Sequence, residues 1–163
     1  MCGLFRAKWT DEIHDEWTRN LIENRPDLSP EKLARTRQLM NAAVPDCLVS
    51  GYEAITPGLS LPDPDDNHVL AAAIRAAASA IITFNLRDFP DAALAPYAIE
   101  AQHPDEFIQH QFGLDQSLVV IAAQRCRARL VRQPFSVAEY LDCLERQSLP
   151  LTVAELRPFS GVL

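Results

Sequence analysis

The sequence predicts an α/β fold, with a parallel sheet that carries helices on both faces and a small all-helical C-terminal extension. Helix-like and strand-like segments alternate over residues 10–101, which is typical of parallel sheets. Residues 80–84 form a nearly continuous apolar run of strand length, as expected for a strand buried on both faces. From Pro104 onward the pattern is helical throughout. We therefore expect two parts, residues 1–103 and residues 104–163.

The first two predicted elements are helices. The first begins at Thr10 or Asp11, because a short side-chain oxygen there accepts a free N–H of the first turn. The second begins at Ser29, with Pro30 at its first position. Apolar residues recur every fourth position in the first helix and predict its buried face. The residues of that stripe are Ile13, Trp17 and Leu21.

Strands and an alanine-rich helix follow. The strands are predicted at residues 47–50, 80–84 and 97–101, with the helix at residues 67–78 between the first two. Alanine favours helix and permits close packing against a sheet. In the C-terminal part, Gly113, Pro134 and Pro150 separate the helices. Those helices are predicted at residues 105–112, 114–131, 137–147 and 151–156.

Composition limits the possible classes of protein. The chain has 163 residues, 48% of them hydrophobic, which fits one domain, or one domain with an appendage, and excludes wholesale disorder. No run of about 18 apolar residues occurs, so we expect no membrane-spanning segment. The N-terminus has no long apolar stretch of the kind that a secretory signal contains. Four cysteines without a CxxC pair are expected to be reduced thiols in the cytoplasm.

The charge balance argues against general binding to nucleic acid. Fifteen basic and twenty-two acidic residues give a formal net charge of −7, so the chain has no overall attraction for a polyphosphate. If it acts on nucleic acid, the attraction must be local. Basic side chains near the site, or a metal ion held by carboxylates, are its two possible sources.

One acidic cluster lies at the start of the alanine-rich helix. It contains Asp63, Asp65 and Asp66 within four residues. Carboxylate oxygens are the ligands that Mg²⁺ prefers, so the cluster predicts a cation site. The alternative is that Asp65 or Asp66 caps the helix, while the other carboxylates are solvated.

Two further segments carry candidate ligands. Asn85 and Asp88 follow the predicted strand at residues 80–84, near the strand ends where α/β sheets bind ligands. An ordinary turn explains them equally well. Glu16 lies beside Trp17 at the border of the apolar stripe, or else it is a solvated residue. His68 is either a packed histidine or a catalytic acid or metal ligand.

Three motifs in this order resemble a PIN domain, and more narrowly the VapC-like branch of bacterial toxin nucleases. The resemblance covers about residues 5–103. It implies cleavage of RNA with Mg²⁺ or Mn²⁺ and restraint by a cognate antitoxin. The motifs are Thr10-x-x-Ile13-x-x-Glu16-x-x-Arg19, Asp63-Pro64-Asp65-Asp66-x-His68-Val69-Leu70-Ala71 and Ile82-Thr83-x-Asn85-x-x-Asp88-Phe89.

The resemblance also assigns roles to residues. Glu16, Asp66 and Asp88 would be catalytic acids and metal ligands, with Asn85 or Asp88 in the last position of the family pattern. A divalent cation held by carboxylates would lower the pKa of a bound water and act as a Lewis acid on the phosphodiester. Apart from the resemblance, Arg19 and Arg87 either engage the phosphate backbone of the RNA or are plain surface cations, and Thr83 is the third residue expected to bind the substrate.

One part of the family pattern is not found in the sequence. The family opens with a strand that ends in an Asp ligand, whereas no Asp precedes Asp11 here. We consider a late start from a misassigned start codon or truncation, a shortened and degenerate gene, and a second chain that supplies the edge. Because a missing central strand leaves backbone groups unpaired, we expect a homo-oligomer.

Two other functions stay open at this stage. The chain could be a catalytically inactive PIN-like remnant that acts as a protein-interaction module. It could also be an unrelated α/β regulatory domain in which Asp63–Asp66 only cap a helix. The leading hypothesis is the toxin-type ribonuclease, which could be inactive as this shortened chain.

Overall fold

The computed structural model describes residues 3–131 and 133–163. Over these residues the chain is an α/β protein with a small parallel sheet and a helical C-terminal region, which confirms the predicted fold class. No helix in the described part is long and apolar enough to cross a membrane. In chain order the elements are α1 Asp11–Asn24, α2 Pro30–Ala43, α3 Asn67–Arg75, β1 Ala80–Ile82, α4 Asp91–Leu94, β2 Glu100–Gln102, α5 Pro104–Ala128, α6 Val137–Arg146 and α7 Pro150–Leu156.

The two N-terminal helices begin where the sequence predicts. The Thr10 side chain accepts the backbone N–H of Ile13, and the Ser29 side chain accepts that of Lys32. Each cap satisfies one of the free N–H groups of a first turn.

The buried face of α1 centres on a histidine rather than on the apolar stripe. His14 is fully buried, whereas Ile13, Trp17 and Leu21 are half-buried. The Trp17 indole N–H donates to His14 Nδ1 at 2.8 Å, and His14 Nε2 lies 2.9 Å from Asn41 Oδ1. Nε2 therefore carries the proton, and both ring nitrogens are satisfied. A polar ring is stable in the core when it is bonded in this way.

The predicted strand at residues 47–50 is reduced to a single parallel bridge between Trp9 and Leu48. Two backbone bonds of 2.9 Å hold it, from Trp9 N–H to the Cys47 carbonyl and from Val49 N–H to the Trp9 carbonyl. An apolar run indicates burial and extended backbone, but it does not give the length of the ladder. Cys47 is buried, and with Cys126 and Cys143 it is a free thiol; Cys2 lies outside the described residues.

The predicted strand at residues 80–84 ends early. β1 stops at Ile82 and pairs with β2, which is its one partner in the described part of the sheet. Ile81 is 6% exposed, but Ile82 is 40% and Phe84 is 62% exposed. The prediction of burial on both faces is therefore wrong at this end of the strand. The second strand is also shifted, from residues 97–101 to Glu100–Gln102.

The alanine-rich helix α3 ends at Arg75, three residues before the predicted end. Ala77 has a left-handed φ of 50°. Bonds from Ala78 N–H to the Ala73 carbonyl and from Ala77 N–H to the Ile74 carbonyl close the helix as a Schellman motif. The sequence has no glycine here to signal this end.

By internal contacts, the described chain divides into two compact units. The first comprises Arg6–Ile81 and Asn85–Ala101, and the second comprises residues 3–5, Ile82–Phe84 and Gln102–Leu163. Each has an apolar core of its own. The core of the first unit consists of Leu61, Leu70, Ala73, Ile81, Phe89, Leu94 and Ile99. That of the second consists of Phe112, Val119, Val120, Leu141, Val153, Leu156 and Leu163.

In the second unit, the two helices predicted at residues 105–112 and 114–131 lie in α5, on either side of a kink. The kink is at Asp115 (φ −155°, ψ 92°), not at Gly113. The Asp115 side chain accepts the Leu118 N–H at 3.0 Å and so caps the second half.

Candidate metal centre

Three carboxylates of the first unit converge. Asp63, Asp66 and Asp88 each offer one oxygen, and these oxygens all lie within 4.8 Å of one another. Asp63 immediately precedes the 3₁₀ turn Pro64–Asp66, and Asp66 is the last residue of that turn. A 3₁₀ turn has three residues, so positions three apart lie on the same side. Asp88 ends a second 3₁₀ turn, Leu86–Asp88, which follows β1.

Asp66 does not cap the alanine-rich helix. It occupies the N-cap position of α3, but its side chain makes no capping hydrogen bond. The Oδ1 atom of Asp63 accepts the Asp65 N–H at 2.9 Å. This bond leaves the Oδ2 atom of Asp63 available to a cation. The alternative in which these acids only cap a helix therefore does not account for Asp66.

The environment raises the pKa of the Asp66 carboxyl above its usual value. Burial is the largest cause, followed by the negative charges of Asp63, Asp88 and Glu16, while His68 acts in the opposite direction. Carboxylates of like charge that lie this close together destabilise one another when they are ionised. A bound cation would remove that repulsion.

Glu16 stands close to the three-carboxylate group without belonging to it. Glu16 lies on α1, and its negative charge contributes to the raised pKa of Asp66. Its Oε1 is 3.1 Å from His68 Nε2. With Glu12, Asp15, Arg19 and Asp65 it lines a polar cleft of about 440 Å³. Glu16 and Arg19 were both predicted as site residues, and both line this cleft.

The other predicted site residues differ in position. The Asn85 amide donates to Asp88 Oδ2, so Asn85 orients a carboxylate of the cluster. Arg87 is exposed in the turn before Asp88, and neither it nor Arg19 forms an ion pair with a described residue. Thr83 belongs to the second compact unit, where its N–H donates to the Gln102 carbonyl at 3.0 Å.

Sequence reasoning left Asp63 out of the ligand set. The residue is visible in the acidic cluster, but only a 3₁₀ turn aligns it with Asp66. The Asp-Pro pair was the available signal, because Pro fixes φ at a first helical position.

The donor set fits a hard divalent cation. All three groups are carboxylates, the donor type that Mg²⁺ and Mn²⁺ favour. The absence of cysteine and histidine from the set disfavours zinc.

Comparison with known proteins identifies the family. A family model described as PIN domain matches residues 1–87, and one described as VapC50 C-terminal domain matches residues 104–158. The Mycobacterium tuberculosis protein named "Putative ribonuclease VapC50" is 40% identical over 92 residues, which are 56% of this chain and 54% of that protein. The chain thus spans about half the length of this curated relative. No solved structure matches it significantly.

The PIN domain match covers more than half of the chain, and the helical C-terminal part has a match of its own. The chain therefore belongs to the PIN domain family and is a VapC-like member of it.

Proposed function

We propose that this protein is a metal-dependent ribonuclease of the toxin–antitoxin type, which hydrolyses phosphodiester bonds of RNA. The convergence of Asp63, Asp66 and Asp88 is the observation that carries the proposal. Membership of the PIN domain family and the name of the M. tuberculosis relative support it.

The carboxylates of Asp63, Asp66 and Asp88 would hold Mg²⁺ or Mn²⁺, with Glu16 as a nearby fourth acid. When bound, such an ion supplies Lewis acidity and lowers the pKa of a coordinated water. Asn85 keeps the Asp88 carboxylate in place through its amide hydrogen bond.

RNA must be attracted locally, because the chain has a formal net charge of −7. Arg19 lines the cleft beside Glu16, and Arg87 is exposed one residue before Asp88. We assign both guanidinium groups to the phosphates of the substrate, since arginine binds phosphate oxygens in a bidentate manner. The expectation that Thr83 binds substrate stays a prediction from the sequence.

The proposal extends to partners and organisation. Residues 1–103 would form the catalytic domain, and residues 104–163 a helical extension. We expect an antitoxin protein as a partner, a homo-oligomer, and action on RNA in the cytoplasm. Ile82 is exposed and lies at an edge of β1 that no other described strand pairs with, which supports self-association, because open strand edges pair with other chains.

Titration with Mn²⁺ and an RNA cleavage assay test the function together. We expect the protein to bind Mn²⁺ and Asp66→Asn to weaken that binding at least about tenfold. Replacing a residue that only hydrogen-bonds to a metal ligand already lowers metal affinity by about that factor, so loss of a ligand should cost no less. Asp65→Asn is the matched control, because it removes the same charge one residue away and outside the cluster. RNA cleavage should require Mn²⁺ or Mg²⁺ and be lost in Asp66→Asn and Glu16→Gln.

The two readouts separate the alternatives. Binding of Mn²⁺ without RNA cleavage would favour the inactive PIN-like module. Equal effects of Asp65→Asn and Asp66→Asn on Mn²⁺ affinity would mean that the cluster acts only through its general charge, and the proposed site would be wrong.

A further inference from the structure

We propose that His68 is a positioning residue that fixes the carboxylate of Glu16 at the edge of the metal centre. This inference rests on the proposed function and adds a residue to it. Neither the acidic cluster nor its ligand set includes His68.

The His68 ring is buried against two glutamates of α1. Its side chain is 5% exposed, its Nε2 lies 3.1 Å from Glu16 Oε1, and its Nδ1 lies 3.5 Å from Glu12 Oε2. A carboxylate only accepts hydrogen bonds. The proton of the 3.1 Å bond must therefore be on His68 Nε2, which donates to Glu16.

Glu12 is itself held by a third element. The Tyr52 hydroxyl donates to Glu12 Oε2 at 3.0 Å. The hydrogen bond from Tyr52 to Glu12 and the one from His68 to Glu16 are separate, because Nδ1 of His68 makes no hydrogen bond to Glu12. The buried Nε2 donor of His68 by itself limits the rotamers that Glu16 can adopt.

The unsatisfied ring nitrogen points to more than packing. His68 Nδ1 is buried and has no hydrogen-bond partner among the described residues. If the ring served only to fill the core, an apolar side chain would avoid this unpaired polar atom. The interaction made by Nε2 is the physical reason to keep a histidine here.

The position of His68 in α3 joins the ring to the metal centre. It lies two residues after Asp66, so the same helix start carries a cluster ligand and the donor that holds Glu16. In the proposed function Glu16 is the fourth acid beside the ion, and residues that orient the groups around a metal ion alter metal affinity about 10–100-fold when they are replaced.

A double-mutant cycle on Mn²⁺ affinity tests the proposal. We expect His68→Leu to weaken Mn²⁺ binding about tenfold or more, and His68→Gln, whose amide keeps a donor near the Nε2 position, to restore most of it. In a Glu16→Gln background the same His68→Leu change should have little further effect, because its target is already altered. His110→Leu, at an exposed histidine of α5, is the control. Circular dichroism confirms folding of each variant.

A nitrogen NMR measurement on the wild-type protein gives a readout that needs neither metal nor mutation. Nε2 of His68 should carry a proton. An unprotonated Nε2 would overturn the proposal even if His68→Leu failed to fold.

The outcomes distinguish this inference from the proposed function. If Mn²⁺ binds and Asp66→Asn abolishes binding while His68→Leu has no effect, the positioning role is wrong and the metal centre stands. If His68→Leu weakens binding equally in both backgrounds, His68 acts independently of Glu16 and the inference fails. If the wild-type protein binds no Mn²⁺, both the function and the inference fail.

Discussion

At the residue scale, the sequence identifies two of the three carboxylates of the cluster, but not the cluster's full membership. Asp66 and Asp88 were predicted as ligands, and they lie in one cluster. Asp63 joins them because a 3₁₀ helix has three residues per turn, whereas an α-helix has 3.6. Composition does not show this local detail. His14 illustrates the same limit, since its burial depends on hydrogen bonds to Trp17 and Asn41, which come together only in the fold.

Asp66→Asn should stabilise the metal-free protein at neutral pH. The folded-state pKa of Asp66 is raised, so the folded state binds the proton more tightly than the unfolded state does. The free energy of unfolding therefore falls as the pH rises from the unfolded pKa, about 3.9, through the folded pKa, and the penalty is fully present above the folded pKa. Removing the carboxylate charge should raise Tm by a few degrees at pH 7 in EDTA.

Thermal unfolding at several pH values checks the sign. The advantage of Asp66→Asn over the wild type should shrink as the pH is lowered toward 4, because the wild-type carboxyl then becomes neutral too. Asp65→Asn should show a smaller gain at pH 7. A loss of stability in Asp66→Asn would mean that its carboxylate makes a favourable contact in the metal-free fold.

At the element scale, the helices are predicted well and the strands poorly. Helix starts follow from caps such as Thr10 and Ser29, which are local signals. The extent of a strand depends on its neighbours, so an apolar run at residues 80–84 becomes a three-residue β1 with an exposed Ile82. The predicted end of α3 was also wrong, because Ala77 adopts a left-handed conformation that glycine usually adopts at the end of a helix.

One contact between elements of the second unit has a clear energetic role. Asp105, in the first turn of α5, is 3% exposed, and its two oxygens accept the N–H groups of Leu151 and Thr152 at 2.8 and 2.7 Å. Those N–H groups belong to the first turn of α7, where an anion also interacts favourably with the helix dipole. Asp105 therefore caps α7 from a distant part of the sequence.

Asp105→Ala should lower the free energy of unfolding by about 2–4 kcal/mol, because two N–H groups lose a charged acceptor. Urea denaturation measures this change. Glu106→Gln, at the exposed neighbouring acid, should change it by less than about 0.5 kcal/mol. A small effect of Asp105→Ala would show that water satisfies the first turn of α7.

At the scale of the whole molecule, the fold class and the family pattern were predictable, but the surface was not. The alternation of elements and the three motifs give the α/β class and the PIN domain. Exposure of Ile82 and Phe84 could not be foreseen, because it depends on how many strands flank β1. The acidic net charge of −7 keeps any RNA contact confined to local arginines and a cation.

Self-association through the edge of β1 that has no partner among the described strands has a direct test. We expect light scattering to give at least twice the mass of the 163-residue chain, and Ile82→Lys to shift it toward the monomer, because a lysine at a strand edge opposes pairing. Val162→Lys, at another exposed apolar residue, is the control and should leave the mass unchanged. A monomeric wild-type protein would contradict the expectation.

Anomalous X-ray diffraction from crystals soaked in Mn²⁺ tests the metal centre most directly. We predict a manganese peak bounded by the carboxylates of Asp63, Asp66 and Asp88, absent from Asp66→Asn crystals treated in the same way. A peak confined to other carboxylates, or none at millimolar Mn²⁺, would contradict the assignment of these three residues as the ligands of a catalytic ion.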